Sequence, residues 1–319
     1  MLPKVLITRI PPGSAVDRIA DRADVWVWPH DRDIDRDVLL GRISDADGLY
    51  CMLADRIDSR LLAAAPSLKV VSTMAVGVDN IDLDACVQRS IAVGHTPGVL
   101  TDSTADMAWA LLMASSRRIG EAIDFVRSGS WEQWEPEGLF GRDVSGTTLG
   151  ILGMGRIGTA VARRAAAFDM QTVYWSRSEV VEVERDLGAQ RVTFEALLEQ
   201  SDHIVVCLPL NDETRGLVGA SAFARMKSTA NLVNIARGPI VDTDALVQAL
   251  TVGQIRCAAL DVTDPEPLPP DHALLAIPSC IVVPHLGSAT QRTRVAMADL
   301  AADNLLAGIF GHPMPARIV

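Results

Sequence analysis

Unbroken runs of Val, Ile, Leu and Ala recur along this chain, and amphipathic segments separate them almost from end to end. A strand wetted on one face alternates apolar with polar residues. A strand that is apolar throughout is buried on both faces, as in a parallel sheet covered by its crossover helices. In the first third the runs are Val5-Leu6-Ile7, Gly48-Leu49-Tyr50-Cys51, Val70-Val71-Ser72 and Ala92-Val93-Gly94, with helical segments such as Ser59 to Ala64 between them. A second series runs through Thr148–Leu152, Thr172–Trp175, His203–Cys207, Leu232–Ile235, Ala258–Asp261 and Ile281–Val283. Two series predict two α/β domains with doubly wound parallel sheets. The first series stops near Thr96-Pro97-Gly98, where Pro and Gly punctuate the pattern. The helical stretch from Thr104 to Arg118 then enters the second domain. After His285 the pattern is helical again, from Arg292 to Ile309, and periodicity alone leaves open which domain that tail joins.

Bulk properties narrow the function classes. With 49% hydrophobic residues in 319, the chain can bury a large core. A net charge of −11 argues against general affinity for nucleic acid or anionic membranes. The five cysteines, Cys51, Cys86, Cys207, Cys257 and Cys280, are dispersed without a Cys-x-x-Cys pair. They read as reduced, buried thiols, consistent with a cytoplasmic location. No apolar run reaches the roughly 18 residues of a membrane span. No metal site is expected. The tryptophans Trp26, Trp28, Trp109, Trp131 and Trp134 read as packing residues rather than as a binding platform. His30, His95, His203, His272 and His312 stand apart from other catalytic-type residues and read as structural or surface side chains.

Gly153-Met154-Gly155-Arg156-Ile157-Gly158 follows one apolar strand and opens a helix. In that setting Gly-x-Gly-x-x-Gly is a strong sign of a dinucleotide. The first glycine permits the tight turn, the second lets backbone approach a pyrophosphate, and the third lets helix and strand pack closely. Gly153, Gly155, Arg156, Ile157 and Gly158 are therefore candidate cofactor residues. The next strand ends Tyr174-Trp175-Ser176-Arg177-Ser178, with no acid at the tip to hold the ribose hydroxyls of NAD. Ser176 can donate a hydrogen bond to a 2′-phosphate and Arg177 can pair with it, so NADPH is expected over NADH. NADH remains possible, and Glu179 nearby weighs toward it.

Three stretches place a polar residue just after an apolar strand: Arg237 in Asn234-Ile235-Ala236-Arg237-Gly238, Glu266 in Asp264-Pro265-Glu266-Pro267, and His285 in Pro284-His285-Leu286-Gly287-Ser288. Ligands of open α/β sheets collect at such carboxyl ends. Arginine can hold a carboxylate, histidine can move a proton near neutral pH, and a neighbouring glutamate favours the protonated imidazole. Together they equip a chain to reduce a 2-oxo acid. Taken singly, each has a plainer reading as a loop cap, a solvated charge or a satisfied strand-end histidine.

With these stretches, the runs Ser72–Asp79, Thr96–Asp102, Leu260–Thr263 and Asn304–Gly308 make the chain resemble the D-2-hydroxyacid dehydrogenases over nearly its whole length, and most closely the glyoxylate/hydroxypyruvate reductases. The resemblance implies a discontinuous, flavodoxin-like substrate domain from residues 1–98 and 286–319. It implies a Rossmann dinucleotide-binding domain from 99–285, and a homodimer formed mainly through that domain. It also implies that backbone of Val76 and Gly77 receives the substrate carboxylate and that Arg237 bridges carboxylate and carbonyl. His285 would be the proton donor with Glu266 as its partner. Thr104, Pro209, Ile235, Asp261 and Gly287 would line the nicotinamide or phosphates, with Ser288 near the substrate. One departure concerns Gly138, where reductases of the mammalian type place a tryptophan that reaches the neighbouring subunit's site. Three other readings stay open: a phosphoglycerate-type dehydrogenase, a phenylpyruvate-type dehydrogenase, and a corepressor-like protein that only senses dinucleotide.

Overall fold

The computed structural model describes all residues, 1–319, and its contacts divide the chain into two compact units, Met1–Leu100 with Ala289–Val319, and Thr101–Ser288. Each unit is built on one wholly parallel sheet.

The first unit carries β1 (Lys4–Ile7), β2 (Asp24–Val27), β3 (Gly48–Cys51), β4 (Val70–Thr73) and β5 (Ala92–Gly94), in the order β2-β1-β3-β4-β5. Strands β3 and β4 are buried at every position, which is why their sequences show no polar alternation. Two of their polar side chains, Tyr50 and Ser72, are satisfied by the helix Gln291–Ile309 packed against them, whereas the buried Thr73 hydroxyl finds no partner. The Tyr50 hydroxyl donates to the Ala298 carbonyl at 3.2 Å, and the Ser72 hydroxyl to that of Ala301 at 2.7 Å. The helical tail after His285 thus belongs to the first unit. Strand β2 carried no clear signal in sequence because it is an edge strand, exposed at Asp24 and only half-buried beyond it.

The second unit carries β6 (Thr148–Leu152), β7 (Gln171–Trp175), β8 (Gln190–Arg191), β9 (His203–Val206), β10 (Asn231–Asn234), β11 (Cys257–Leu260) and β12 (Cys280–Val282), in the order β12-β11-β10-β9-β6-β7-β8. Successive strand residues face opposite sides of a sheet. Here both sides are cores: Leu152, Val206 and Leu232 enter one cluster, and Ile151, Val205 and Val233 enter the other. Each such side chain contributes about 1.5–3 kcal/mol when fully buried. The chain winds outward from β6 through β7 in one direction and from β9 in the other. That reversal leaves a crevice at the carboxyl ends of β6 and β9, beyond which the glycine-rich loop lies.

The tryptophans divide. Trp28 and Trp109 are buried as expected, but Trp131 and Trp134 are 61% and 80% exposed. They lie in an irregular stretch after the helix Ile119–Arg127, which itself buries no residue, so neither has a core to enter.

Candidate active site

Every strand of the second unit ends in a loop on the same side, because all pairings are parallel. The loops after β10, β11 and β12 bring Arg237, Glu266 and His285 together. Asn234 shapes the first loop: its side-chain oxygen accepts from the Ala236 N–H at 3.0 Å and its amide donates to the Arg237 carbonyl at 2.9 Å. Half-buried Arg237 follows in extended backbone, donating to the Ala236 carbonyl at 2.8 Å. Gly238 comes next because nothing larger fits. A Cβ there would lie 1.9 Å from the Thr263 carbonyl oxygen, so the Arg237 loop packs directly on the loop that carries Glu266.

Glu266 Oε1 lies 2.6 Å from His285 Nδ1, with the side chains 36% and 25% exposed. Burial raises the Glu266 carboxyl, but the hydrogen bond and charge of His285 outweigh it, aided by the Thr263 N–H and by Arg237. The net effect holds it below the usual carboxylate range. Glu266 is thus an anion that accepts from Nδ1, which fixes the tautomer and the orientation of the ring.

His285 sits at φ 53°, a left-handed conformation uncommon for residues other than glycine. Its neighbours hold it there. The His285 N–H donates to the Asp261 carbonyl at 2.9 Å, and the Asp261 carboxylate accepts from the N–H groups of Leu286 at 2.6 Å and Gly287 at 2.9 Å. Burial pushes the Asp261 carboxyl up, an effect those two N–H donors and the nearby His285 only partly offset. Asp261, expected to line the cofactor, also fastens the His285 turn. Gly287 belongs to the same cluster, since a Cβ on it would approach Asp261 Oδ2 at 2.9 Å and Thr104 Cγ2 at 3.3 Å. Ile235 is buried directly after β10, and Ser288 is half-buried at the end of the unit.

The glycine-rich loop meets the demands of a pyrophosphate. Gly153 has φ 99°, and a Cβ on Gly158 would strike the Gly153 carbonyl oxygen at 2.1 Å, so both positions require glycine. Around Gly155 a Cβ would meet nothing within 4 Å, which leaves open space above the amino terminus of the helix Arg156–Ala165. No side chain caps that terminus, so the N–H groups of Arg156 and Ile157 are available to an anion. Pro209 lies exposed in the turn after β9, its carbonyl accepting from the Thr214 hydroxyl at 2.7 Å. At the end of β7, Arg177 is exposed and Ser176 half-buried, and the Ser176 hydroxyl donates to the Ser178 carbonyl within its own loop.

Val76 and Gly77 belong to the first unit, in the half-buried loop after β4. There the sequence concealed a contact: His95 Nδ1 lies 2.9 Å from the Val76 carbonyl. A carbonyl only accepts, so Nδ1 carries the proton. Neither the close approach at Gly238 nor the His95–Val76 contact leaves a local mark in the sequence. Gly138 lies in the exposed stretch that carries Trp134, and the nearest atoms a Cβ there would meet belong to Glu135, at 3.4 Å and beyond, which is ordinary contact.

Comparison with known proteins agrees with this geometry. Residues 109–287 match the family described as D-isomer specific 2-hydroxyacid dehydrogenase, NAD binding domain. The chain is 46% identical to the glyoxylate reductase of Thermococcus kodakarensis, over 100% of this chain and 96% of that one. Among solved structures, a protein of Thermus thermophilus superposes with a TM-score of 0.92 at 45% identity, covering 99% of this chain and 100% of that one. An NADPH-dependent glyoxylate/hydroxypyruvate reductase of Sinorhizobium meliloti, in complex with NADP and malonate, gives a TM-score of 0.87 at 31% identity, covering 100% and 97%.

Proposed function

Because the chain belongs to the D-isomer specific 2-hydroxyacid dehydrogenases, we propose that it reduces glyoxylate or hydroxypyruvate to the 2-hydroxy acid with NADPH. The observation that carries the chemistry is the Glu266–His285 pair beside Arg237 at the ends of neighbouring strands. The bound nicotinamide supplies a hydride to C2 of the substrate. Protonated His285 gives the C2 oxygen its proton from Nε2, while Glu266 holds Nδ1 and so fixes the ring and its tautomer. Arg237 grips the substrate carboxylate and polarises the carbonyl, an orienting and charge-stabilising role. In the first unit, the N–H groups of Val76 and Gly77 serve the carboxylate, and His95 holds the Val76 peptide in place. Ser288 lies toward the substrate. Thr104, Ile235 and Gly287 line the nicotinamide, and Asp261 acts on it by setting the His285 turn. Gly153, Gly155, Arg156, Ile157, Gly158 and Pro209 surround the phosphates. Ser176 and Arg177 face the adenosine ribose, where the lack of an acid at the β7 tip supports NADPH over NADH.

Further support bears on assembly and location. Ile119, Ile123 and Val126 share one face of an exposed helix, and Trp131, Trp134 and Phe140 follow on exposed loop. An apolar patch of this kind supports a homodimer formed through this unit. No helix is long and apolar enough to cross a membrane. All five cysteines are free, which supports a cytoplasmic setting.

The test is the initial rate of NADPH and NADH oxidation with glyoxylate, hydroxypyruvate, pyruvate and phenylpyruvate. The expected result is fast turnover of the first two acids with NADPH. Arg177→Asp should weaken NADPH selectively, whereas equal kcat/KM for both cofactors in the unaltered protein would sink the preference. Tight dinucleotide binding without turnover of any acid would favour a sensing role. Reduction consumes the His285 proton, so kcat/KM should fall as pH rises into the range where the imidazole is neutral. A flat profile to pH 9, with chemistry rate-limiting, would count against His285 as the acid.

A further inference from the structure

The loop after β7 is held from outside by a residue that no motif marks. Strand β8 is only two residues long and forms the edge of the sheet, with Gln190 opposite Val173 and Arg191 opposite Tyr174. From there Arg191 Nη2 donates to two successive carbonyls, that of Ser176 at 3.0 Å and that of Arg177 at 2.9 Å. The far side of the loop is pinned separately. The Val180 N–H donates to the Tyr174 hydroxyl at 2.9 Å, and that hydroxyl donates to Glu184 at 2.7 Å.

The consequence follows from peptide geometry. In a trans peptide the N–H points opposite to the C=O of the preceding residue. With the Ser176 and Arg177 carbonyls both turned toward Arg191, the N–H groups of Arg177 and Ser178 are turned away from it. Neither N–H donates to any group within the chain. Two consecutive free amides make a small anion-binding concavity, and the residue that carries the first of them is itself a cation, the exposed Arg177.

We propose that Arg191 is a positioning residue: by holding these two carbonyls it presents the Arg177 and Ser178 amides to the 2′-phosphate of NADPH, and so sets the cofactor preference. This rests on the NADPH reading above. It adds that the selecting group is backbone held from the neighbouring edge strand, and it explains how the site can select while the Ser176 hydroxyl is engaged with Ser178. Arg191 is exposed, and the carbonyls it holds can be hydrated in its absence, so its loss should disturb the loop without unfolding the unit.

Calorimetric titration with 2′,5′-ADP and with 5′-ADP isolates the 2′-phosphate without needing turnover. The unaltered protein should favour 2′,5′-ADP. Arg191→Met should lose roughly tenfold of its affinity for 2′,5′-ADP, with 5′-ADP changed less than about twofold. In turnover, KM for NADPH should rise by a similar factor with kcat unchanged. Arg191→Gln keeps one donor, should lose part of the preference, and carries the test if the methionine variant fails to fold. If Arg191→Met folds and either binds 2′,5′-ADP as before or loses both nucleotides equally, the role assigned to Arg191 falls while the NADPH reading stands. If the unaltered protein binds the two nucleotides equally, both fall together.

Discussion

Two histidines at opposite ends of one sheet show how the surroundings decide what the same side chain can do. His203 opens β9 at the amino end of the second unit's sheet and is 3% exposed. Its Nδ1 lies 3.5 Å from both the Ser116 hydroxyl and the Asn231 amide, and that amide donates at 3.3 Å to the Leu112 carbonyl. Burial lowers its pKa from 6.5 to about 4, outweighing the charge of adjacent Asp202. His285, at the carboxyl end, has a quarter of its side chain exposed, an ionised glutamate on Nδ1 and a left-handed backbone. One ring is kept neutral inside a core; the other is partnered by an anion and remains accessible. For His203 a nearby acid is not enough, because burial outweighs the charge of Asp202.

Exchanging the roles in this contrast should break it. His285→Gln should lower kcat by roughly 10²–10⁴-fold with little change in Tm, if it removes the proposed proton donor from a partly exposed position. His203→Gln should do the reverse, with near-normal kcat and a lower Tm at neutral pH. A catalytic defect in the second, or a stability defect alone in the first, would overturn the division.

Acid sharpens the contrast. Between pH 6.5 and about 4 the unfolded chain protonates His203 while the folded chain does not. The stability it confers is therefore complete above pH 6.5 and is lost as pH falls toward 4, by about 3 kcal/mol in all. Denaturant unfolding across that range should show this slope, and His203→Gln should flatten it. Glu266 acts later in the same titration. Its pKa is depressed in the folded chain, so its contribution is full above the ordinary value of 4.5 and is lost as pH falls from there through its own lower value.

Smaller effects are expected from packing and partner changes at the carboxyl end. Glu266→Gln should reduce kcat by about tenfold to a hundredfold, less than loss of the histidine. Gly238→Ala forces a Cβ onto the Thr263 carbonyl and should cost about 1–3 kcal/mol, with activity falling alongside. An unchanged Tm and rate for that variant would show that the two loops are not rigidly packed. The smallest effect is chemical: burial pushes Cys207, Cys257 and Cys280 up to about 12, so a thiol reagent should label the folded protein slowly.

Much of this protein was legible before its fold was seen. Unbroken apolar runs require two-sided burial, and that requirement alone specified parallel sheets. The glycine spacing, set between a strand and a helix, specified a phosphate loop. Arg237, Glu266 and His285 stood out because each follows a buried strand, and parallel pairing then aligns such positions. Tertiary structure alone decided the rest: that Asp261 fastens the His285 turn, that Gly238 is demanded by Thr263, that His95 meets Val76 and that Arg191 reaches the loop after β7. Local periodicity records which face a residue buries. It carries no record of which distant backbone group lies within 3 Å, because that proximity is set only when the elements pack.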